Sequence, residues 1–263
     1  MENKTVVAIK GGLGNQLFQY AHGLKLSIID RADVVFDTSF FETDSKDTSR
    51  PFLLDKFNIS SFQFVPIKES MFKRLHKKIQ LKLTGDYKYF QSEKYFVEVK
   101  DEVRKQFTLK NPLSPAAEEM MRNIQAEKNS VALHIRRGDY ATNTQTNSFH
   151  GLCDLQYYYE AVAYFKSKLE NPLFFIFSDD IQWVKNNLHM ERNIFVSNPN
   201  ILDYEELALM SACSHNIIAN SSFSWWGAYL NPNFNKIVIA PKQWTNKKTS
   251  NELEILPREW IQM

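Results

Sequence analysis

The stretch Val131-Ala-Leu-His-Ile-Arg-Arg-Gly-Asp-Tyr140 decides how this chain is interpreted, because it changes abruptly from apolar to charged residues. Residues 131–135 predict a buried strand of an α/β sheet, and two arginines, a glycine and an aspartate follow its carboxyl end. Ligands of open α/β sheets bind at that end, and an arginine there offers a planar fork of donors to phosphate oxygens. The stretch therefore predicts an anion site, with a solvated surface turn as the alternative. Arg137-Gly138-Asp139 also resembles a cell-adhesion signal, but that use needs a flexible exposed loop.

Composition limits the classes of protein to consider. A chain of 263 residues with 43% hydrophobic and 14% aromatic residues indicates one large globular domain or two ordinary ones. A net charge of +2 argues against nucleic acid as a partner. Cys153 and Cys213 form no disulfide framework, the N-terminus has no signal-peptide core, and no apolar run approaches the roughly 18 residues of a membrane span. We therefore expect a cytoplasmic protein with reduced thiols.

One basic segment allows a contact with a membrane surface. Residues 68–82 place Phe72, Leu75 and Ile79 at helical spacing among several lysines. A basic amphipathic helix of this kind can lie on an anionic membrane. The alternative is a solvated helix that packs only one apolar edge.

Strands and helices alternate in two parts of the chain. A strand at 5–9, a glycine turn, a helix at 16–29 and a strand at 33–37 predict a βαβ unit, whereas residues 38–95 show no clear pattern. From residue 131 to 240, short apolar strands alternate with helices, which predicts a parallel sheet covered on both faces. A helix predicted to start at Ser114-Pro115 and to end near Ala126 closes the first part. The fold class predicted is α/β, with two Rossmann-like domains, residues 1–126 and 127–263, that face each other across a cleft.

The turn Gly11-Gly-Leu-Gly-Asn-Gln16 lies between a predicted strand and a helix, where glycines allow a ligand to approach the backbone. It resembles a dinucleotide fingerprint with Asp37 as the ribose-binding acid, but Leu17 stands where the third glycine belongs, which argues against a dehydrogenase. Side-chain amides in such a turn suit hydroxyl-rich ligands such as sugars, with a helix N-cap role for Asn15 as the alternative. The residues predicted on the sugar side are Gly14, Asn15 and Gln16.

Two further strand ends carry polar residues. In Ser178-Asp179-Asp180, one carboxylate can cap the next helix while the other stays free for a ribose or base. The stretch 220–228 places hydroxyls and backbone N–H groups at a helix start, which is an anion site. The chain has neither an Asp-x-Asp pair nor histidines at ligand spacing, so we expect no metal. Strand ends at Arg136, Asp179 and Ser222 thus converge on one sheet edge with groups suited to a nucleoside diphosphate.

Together these motifs resemble the bacterial α-1,2-fucosyltransferases of glycosyltransferase family 11. The segments that carry the resemblance occur in the family's order and are 11–21, Tyr89-Phe-Gln-Ser-Glu-Lys-Tyr95, 134–140, 177–180 and 221–228. The resemblance implies a GT-B fold with an N-terminal acceptor domain and a C-terminal GDP-fucose domain. It also implies inverting transfer of L-fucose from GDP-β-L-fucose to the 2-hydroxyl of a terminal galactoside, without a metal or cofactor. The enzyme would decorate O-antigen or polysaccharide precursors, and a lipid-linked acceptor would favour the membrane contact of residues 68–82.

The resemblance also assigns roles to residues of the donor site. Arg136 would grip the pyrophosphate and stabilise charge on the departing GDP. The residues that would contact the nucleoside are His134 and Asp179 or Asp180, and those that would contact the phosphates are Ser221, Ser222 and Phe223.

The catalytic residues implied are Arg136, Asn15 and Asp139. Asn15, from the N-terminal domain, would face the fucose and the acceptor. Asp139 is the candidate general base, but an aspartate beside two arginines is expected to have a lowered pKa, which favours a structural role. Arg137 would hold either Asp139 or a helix end. Two other functions stay open, namely a fucosyltransferase of another linkage and a non-catalytic sugar-nucleotide sensor, in which Asn15 and Asp139 would have no purpose.

Overall fold

The computed structural model describes residues 4–42, 50–67, 89–138, 151–245 and 254–263. The chain divides into two compact units, Met1–Phe107 and Thr108–Met263, and each contains a parallel sheet, as the α/β prediction requires. Within the described ranges no helix combines the length and the apolar character that a membrane span requires. The predicted basic helix at 68–82 lies outside the described residues.

The first unit is built on the predicted βαβ arrangement. A helix connects two parallel strands, and its Tyr20 ring lies 5.2 Å from that of Phe36, which in turn lies 5.0 Å from Phe64. These aromatic rings fill the space between helix and sheet. The unit's strands and α-helices in the described residues are β1 (Lys4–Ala8), α1 (Leu13–Ile28), β2 (Asp33–Asp37), β3 (Gln63–Val65) and α2 (Lys100–Gln106). β3 was not predicted, since a three-residue strand has too few positions to show a pattern.

The second unit contains the larger sheet. Its strands and α-helices in the described ranges are α3 (Pro115–Ala126), β4 (Ser130–Ile135), α4 (Leu155–Lys168), β5 (Leu173–Ser178), α5 (Ile181–Asn187), β6 (Asn193–Phe195), α6 (Asp203–Ala212), β7 (His215–Ile217), α7 (Ser222–Leu230), β8 (Val238–Ala240) and β9 (Ile261–Gln262). The sheet is parallel with the order β6-β5-β4-β7-β8-β9, which is the order of the dinucleotide-binding Rossmann sheet. The chain runs outwards from β4 to β6, then crosses back and runs outwards from β7 to β9. The direction of winding therefore reverses between β4 and β7.

The position of β4 in this sheet explains its apolar sequence. All of its residues are buried, because strands flank it on both sides and helices cover the sheet. One core cluster joins Phe174 of β5 to Phe165 of α4 and Val184 of α5. Elsewhere α7 packs against α6, and α6 contacts α3.

The boundary between the units differs from the one predicted between residues 126 and 127. The helix α3 begins and ends where the sequence predicted, with Ser114 as its N-cap, but it belongs to the second unit. The backbone N of Ser114 donates to Oε1 of Glu205 in α6 at 2.6 Å, and its hydroxyl lies 3.1 Å from Oε2. The boundary therefore precedes α3. That the two units face each other across a cleft stays a prediction.

Candidate functional site

The carboxyl ends of β4 and β7 meet where the winding of the second sheet reverses. Leu133 of β4 pairs with Ile217 of β7, so the residues that follow them lie side by side. The ring of His134, which is 3% exposed, lies 5.7 Å from that of Phe223 in the first turn of α7. The crevice at such a reversal is where sheets of this order hold their ligands. His134 and Phe223, two of the predicted donor-binding residues, thus lie next to each other at this strand end.

His134 is an uncharged group with one unused polar atom. Burial lowers its pKa to about 4, an effect that Asp179 opposes and Arg136 reinforces. The imidazole is therefore neutral at pH 7, with one nitrogen as donor and the other as acceptor. Its Nδ1 is buried and finds no hydrogen-bond partner among the residues that the structure describes. A buried polar atom of this kind indicates a ligand or water in the crevice.

Arg136 is oriented by an aspartate on the neighbouring strand end. Its Nη1 lies 2.8 Å from Oδ2 of Asp179, and the backbone N of Arg137 donates to Oδ1 of the same carboxylate at 2.8 Å. Gly138 permits this approach, because a Cβ there would overlap the Asp179 carboxylate. The guanidinium is thus held in one direction at the edge of the sheet.

Asp180 and Arg137 fasten the start of α5. Oδ1 of Asp180 accepts a hydrogen bond from the backbone N of Trp183 at 3.2 Å, as an N-cap does, and Oδ2 lies 3.4 Å from Nε of Arg137. The Arg137 guanidinium lies 3.6 Å from the centroid of the Trp183 ring. Arg137 therefore holds a helix end. Asp180 thus caps the helix, as one of the two carboxylates was expected to do, while Asp179, expected to be free, is paired with Arg136.

The start of α7 has no side-chain cap. Ser221 occupies the N-cap position but makes no capping hydrogen bond with its side chain, and the first turn contains no acidic residue. The first N–H groups of a helix have no partner within the helix. In this nine-residue helix they remain suited to an anion, with the hydroxyls of Ser221 and Ser222 beside them.

The carboxyl group of Glu206 in α6 interacts electrostatically with Asp179, although the sequence did not indicate Glu206 as a site residue. Burial raises its pKa to about 7, a hydrogen bond from Ser197 opposes that shift, and nearby carboxylates such as Asp179 add to it. Oγ of Ser197 also accepts a hydrogen bond from the backbone N of Ser178 at 2.9 Å, which links Glu206 to the end of β5. In the sequence Glu206 and its neighbour Glu205 look alike, so no local signal could have singled it out.

In the first unit, Asn15 lies in the first turn of α1. Gly12 is the N-cap of this helix, so the alternative that Asn15 caps it is wrong. Oδ1 of Asn15 accepts a hydrogen bond from Nε2 of Gln91 at 2.6 Å. Gly11, with a φ of 79°, provides the left-handed turn that brings the chain into the helix.

The other two residues predicted on the sugar side have structural positions. Gln16 is fully buried: its Nε2 donates to the carbonyl oxygens of Gly11 and Pro51 at 2.9 and 2.8 Å, and its Oε1 accepts from the backbone N of Leu53 at 2.9 Å. It ties a loop to the glycine turn and cannot bind a sugar, which corrects that prediction. Gly14 is buried within the first turn of α1.

Two predictions about catalysis are not decided by this geometry. Asp139, the candidate base, lies outside the described residues. Among the residues that are described, no three His, Cys, Asp or Glu side chains are grouped so that they could hold a metal ion.

Comparison with known proteins gives a family and several relatives. The family model of Glycosyl transferase family 11 matches residues 3–263. An alpha-1,2-colitosyltransferase from Escherichia coli is 34% identical over 98% of this chain and 98% of its own length. The O-antigen biosynthesis glycosyltransferase WbnK, also from Escherichia coli, is 31% identical over 97% of this chain and 99% of its own. Galactoside alpha-(1,2)-fucosyltransferase 2 from Sus scrofa is 27% identical over 57% of this chain and 45% of its own.

Among solved structures, that of POFUT1 in complex with GDP covers 91% of this chain and 99% of its own chain. The sequence identity is 14% and the TM-score 0.49, so this likeness carries no argument about function.

Proposed function

The chain belongs to glycosyltransferase family 11, and on that basis we propose that it is an inverting galactoside α-1,2-fucosyltransferase. In this proposal it transfers L-fucose from GDP-β-L-fucose to the 2-hydroxyl of a terminal galactoside, without a metal ion or cofactor. The observation that carries the proposal is the convergence of Arg136, His134 and the start of α7 where the winding of the sheet reverses. The finer parts of the assignment, namely the donor sugar, the acceptor and the GT-B arrangement, rest on this proposal and on the experiments below.

Arg136 binds the diphosphate in this proposal. Its guanidinium is a planar fork of donors that matches phosphate oxygens, and Asp179 fixes its direction. The first-turn N–H groups of α7 and the hydroxyls of Ser221 and Ser222 offer further donors to the same charge. A fixed cation of this kind can supply the charge that a metal ion supplies elsewhere, which supports metal independence.

His134, Phe223 and Glu206 suit the nucleoside. The neutral imidazole of His134 can form hydrogen bonds with ribose or base, and the half-buried Phe223 ring offers an apolar surface for either. The carboxyl group of Glu206 is a good acceptor for guanine, which carries two adjacent N–H donors on its pairing edge. A direct contact of Asp179 or Asp180 with the nucleoside stays a prediction.

The reaction exchanges one C–O bond for another at the anomeric carbon of fucose. The bond to the β-phosphate oxygen breaks and GDP leaves with the electron pair, while the acceptor oxygen bonds to the opposite face and loses its proton. Negative charge grows on the diphosphate as the bond breaks, so Arg136 stabilises the transition state more than the ground state. Asp139 stays the predicted acceptor of the proton.

A second candidate donor is GDP-colitose, since the Escherichia coli colitosyltransferase resembles this chain over nearly its whole length. Colitose is fucose without its 3-hydroxyl, so both reactions share the leaving group and the linkage. A site that hydrogen-bonds the 3-hydroxyl rejects colitose by about 10⁴-fold or more, whereas an apolar site discriminates by only about 10²-fold. The ratio of the two activities therefore identifies the donor.

The proposal is tested by incubating the purified protein with GDP-fucose and a terminal β-galactoside in the presence of EDTA. Release of GDP with formation of an α-1,2-linked product, identified by NMR, is the expected result. A parallel reaction with GDP-colitose measures donor preference. A product of another linkage contradicts the 2-hydroxyl assignment, and GDP binding without transfer to any galactoside favours the sugar-nucleotide sensor. Activity that is lost in EDTA and restored by a divalent cation overturns metal independence.

The acceptor and the cellular location are further parts of the proposal. The name of WbnK supports an O-antigen or polysaccharide precursor as acceptor. The cytoplasmic location and a contact of residues 68–82 with the membrane stay predictions. Cell fractionation of the wild type tests the location. The same experiment with the lysines of residues 68–82 replaced tests the membrane contact, which predicts less protein in the membrane fraction.

A further inference from the structure

Residues 89–95, called here the 89–95 segment, lie against one face of α1 through stacked rings. The Phe90 ring stacks on that of His22 with centroids 3.8 Å apart. Tyr95 meets both rings edge-on, at 5.3 Å from Phe90 and 5.8 Å from His22. The segment is therefore anchored next to Gln91, which lies between these aromatic residues.

The backbone at Phe90 adopts a conformation that an aromatic residue rarely takes. Its φ is 54°, in the left-handed region, which is strained for such a residue and persists only when the surroundings impose it. The stack on His22 imposes it here, and the backbone N of Ser92 donates to the carbonyl oxygen of Phe90 at 2.8 Å. This tight turn brings the side chain of Gln91 to Asn15.

The contact between Gln91 and Asn15 fixes the direction of the Asn15 amide. Nε2 of Gln91 can only donate, and it lies 2.6 Å from Oδ1 of Asn15. The Nδ2 of Asn15 must then point away from Gln91, and it lies beside Gly11, where a Cβ would come within 2.9 Å of it. The donor at Gln91 selects one of the two orientations of this amide, and the absent side chain at Gly11 leaves room for the Asn15 side chain.

We infer that Gln91 is a positioning residue that sets the hydrogen-bonding polarity of Asn15, so that Asn15 presents an N–H donor to the sugars. The inference rests on the proposed function, in which Asn15 faces the fucose and the acceptor. An N–H donor suits a ring or hydroxyl oxygen of a substrate, whereas the opposite orientation would present a carbonyl oxygen there. Gln91 acts through Asn15 and contributes to the transition state only by holding it.

The test compares Gln91→Glu with the wild type in the GDP-fucose assay. A carboxylate at position 91 accepts but does not donate, so the Asn15 amide turns its Nδ2 to it and presents Oδ1 instead. The kcat for transfer is expected to fall by roughly 10²-fold, the usual effect of a misdirected group, with the KM for GDP-fucose and the thermal midpoint almost unchanged. Gln91→Met removes the restraint without imposing the opposite orientation, and a smaller fall in kcat is expected.

Two further variants separate positioning from folding. Gln63→Glu carries the same chemical change on the exposed face of β3, where Gln63 accepts from Nζ of Lys4, and should leave kcat unchanged. In an Asn15→Ala background, Gln91→Glu should cause no further loss, because the group through which it acts is gone. A Gln91→Glu enzyme with wild-type kcat overturns the inference, as does an equal loss in the Asn15→Ala background. A wild-type protein that transfers neither sugar overturns the proposed function itself.

Discussion

Nη1 of Arg136 lies 2.8 Å from Oδ2 of Asp179, and the two residues directly follow β4 and β5, neighbouring strands of one sheet. The register of the strands places Ile135 opposite Ser178, so the pairing of the next residues is a consequence of sheet geometry. An arginine held in this way loses little conformational freedom when it binds a phosphate. In the proposed function, the ion pair would therefore hold this cation in place for the diphosphate before the donor binds.

The first prediction concerns this cation. Arg136→Ala should abolish transfer and weaken GDP binding by about 2 kcal/mol or more, roughly 30-fold, because it leaves the Asp179 carboxylate without its cation and removes the fixed positive charge from the phosphates. Arg136→Lys keeps the charge but not the planar fork, so an intermediate effect is expected. Calorimetric titration with GDP measures both variants. Arg122→Ala, at an exposed position of α3, is the matched control and should bind GDP normally. An active Arg136→Ala enzyme would refute the role of this residue.

The second prediction concerns the close approach of Gly138 to Asp179. A methyl group at position 138 must displace the Asp179 carboxylate, and the overlap should cost about 1–3 kcal/mol of folding free energy or move Arg136 out of place. Gly138→Ala should therefore lower kcat for transfer and weaken GDP binding, in the same direction as Arg136→Lys. Chemical unfolding and the transfer assay measure the two effects. If Gly138→Ala changes neither the free energy of unfolding nor the transfer activity, the Asp179 carboxylate does not have to lie next to position 138.

The strand β4 and the arginines that follow it show what the sequence could and could not predict. Residues 131–135 are continuously apolar because β4 is central and fully buried, and this pattern predicted the strand and the charges at its end. The partner of Arg137 could not be predicted, since Asp139 is near in sequence whereas Asp180 is near only through the pairing of β4 with β5. Local sequence patterns predict helices and strands, whereas contacts between side chains depend on which strands become neighbours in the sheet.

Gln16 illustrates the same limit in the first unit. Its place after the glycine turn suggested a sugar-binding amide, but residues 51 and 53, far away in the sequence, occupy its hydrogen-bonding groups. Asp37, which resembled a ribose-binding acid, accepts hydrogen bonds from the backbone N atoms of Ser39 and Ile67 at 3.0 Å each. Both side chains stabilise loops, and the sequence pattern alone could not distinguish this from ligand binding.

The third prediction compares neighbouring glycines of one turn. Gly11→Ala forces a side chain into the left-handed region, at a cost of about 1–2 kcal/mol, and its Cβ would lie 2.9 Å from Nδ2 of Asn15. Gly12 has a φ of −72° and open space around a Cβ. In Gly12→Ala, alanine is a weaker N-cap than glycine, which destabilises the protein by about 0.5–1 kcal/mol. Alanine also lowers the conformational entropy of the unfolded chain, which stabilises the protein by about 0.5–1 kcal/mol, so the two effects should largely cancel. Urea unfolding should therefore separate the two variants, and equal stabilities would contradict the assigned turn.

The fourth prediction concerns the pH dependence of stability. The pKa of Glu206 is raised to about 7 in the folded protein from an ordinary value of 4.5. Between these two values the folded state binds more protons than the unfolded state, so this group makes the protein less stable as the pH rises from about 4.5 to about 7. Glu206→Gln removes the ionisation, and its stability relative to the wild type should therefore increase across that range and stay constant above it. Relative to low pH, the gain at pH 8 is at most about 3.5 kcal/mol, since the pKa differs by about 2.5 units and one unit corresponds to about 1.4 kcal/mol.

Urea unfolding of Glu206→Gln at pH 5 and pH 8 measures this gain. Glu119→Gln makes the same substitution at an exposed position of α3 and should show no comparable difference between the two pH values. Because Glu206 shares the field of Asp179 at the end of β5, bound GDP should also change its titration, so the difference between pH 5 and pH 8 should itself depend on GDP. A Glu206→Gln protein whose relative stability is the same at both pH values would show that this carboxyl group titrates as it does in water.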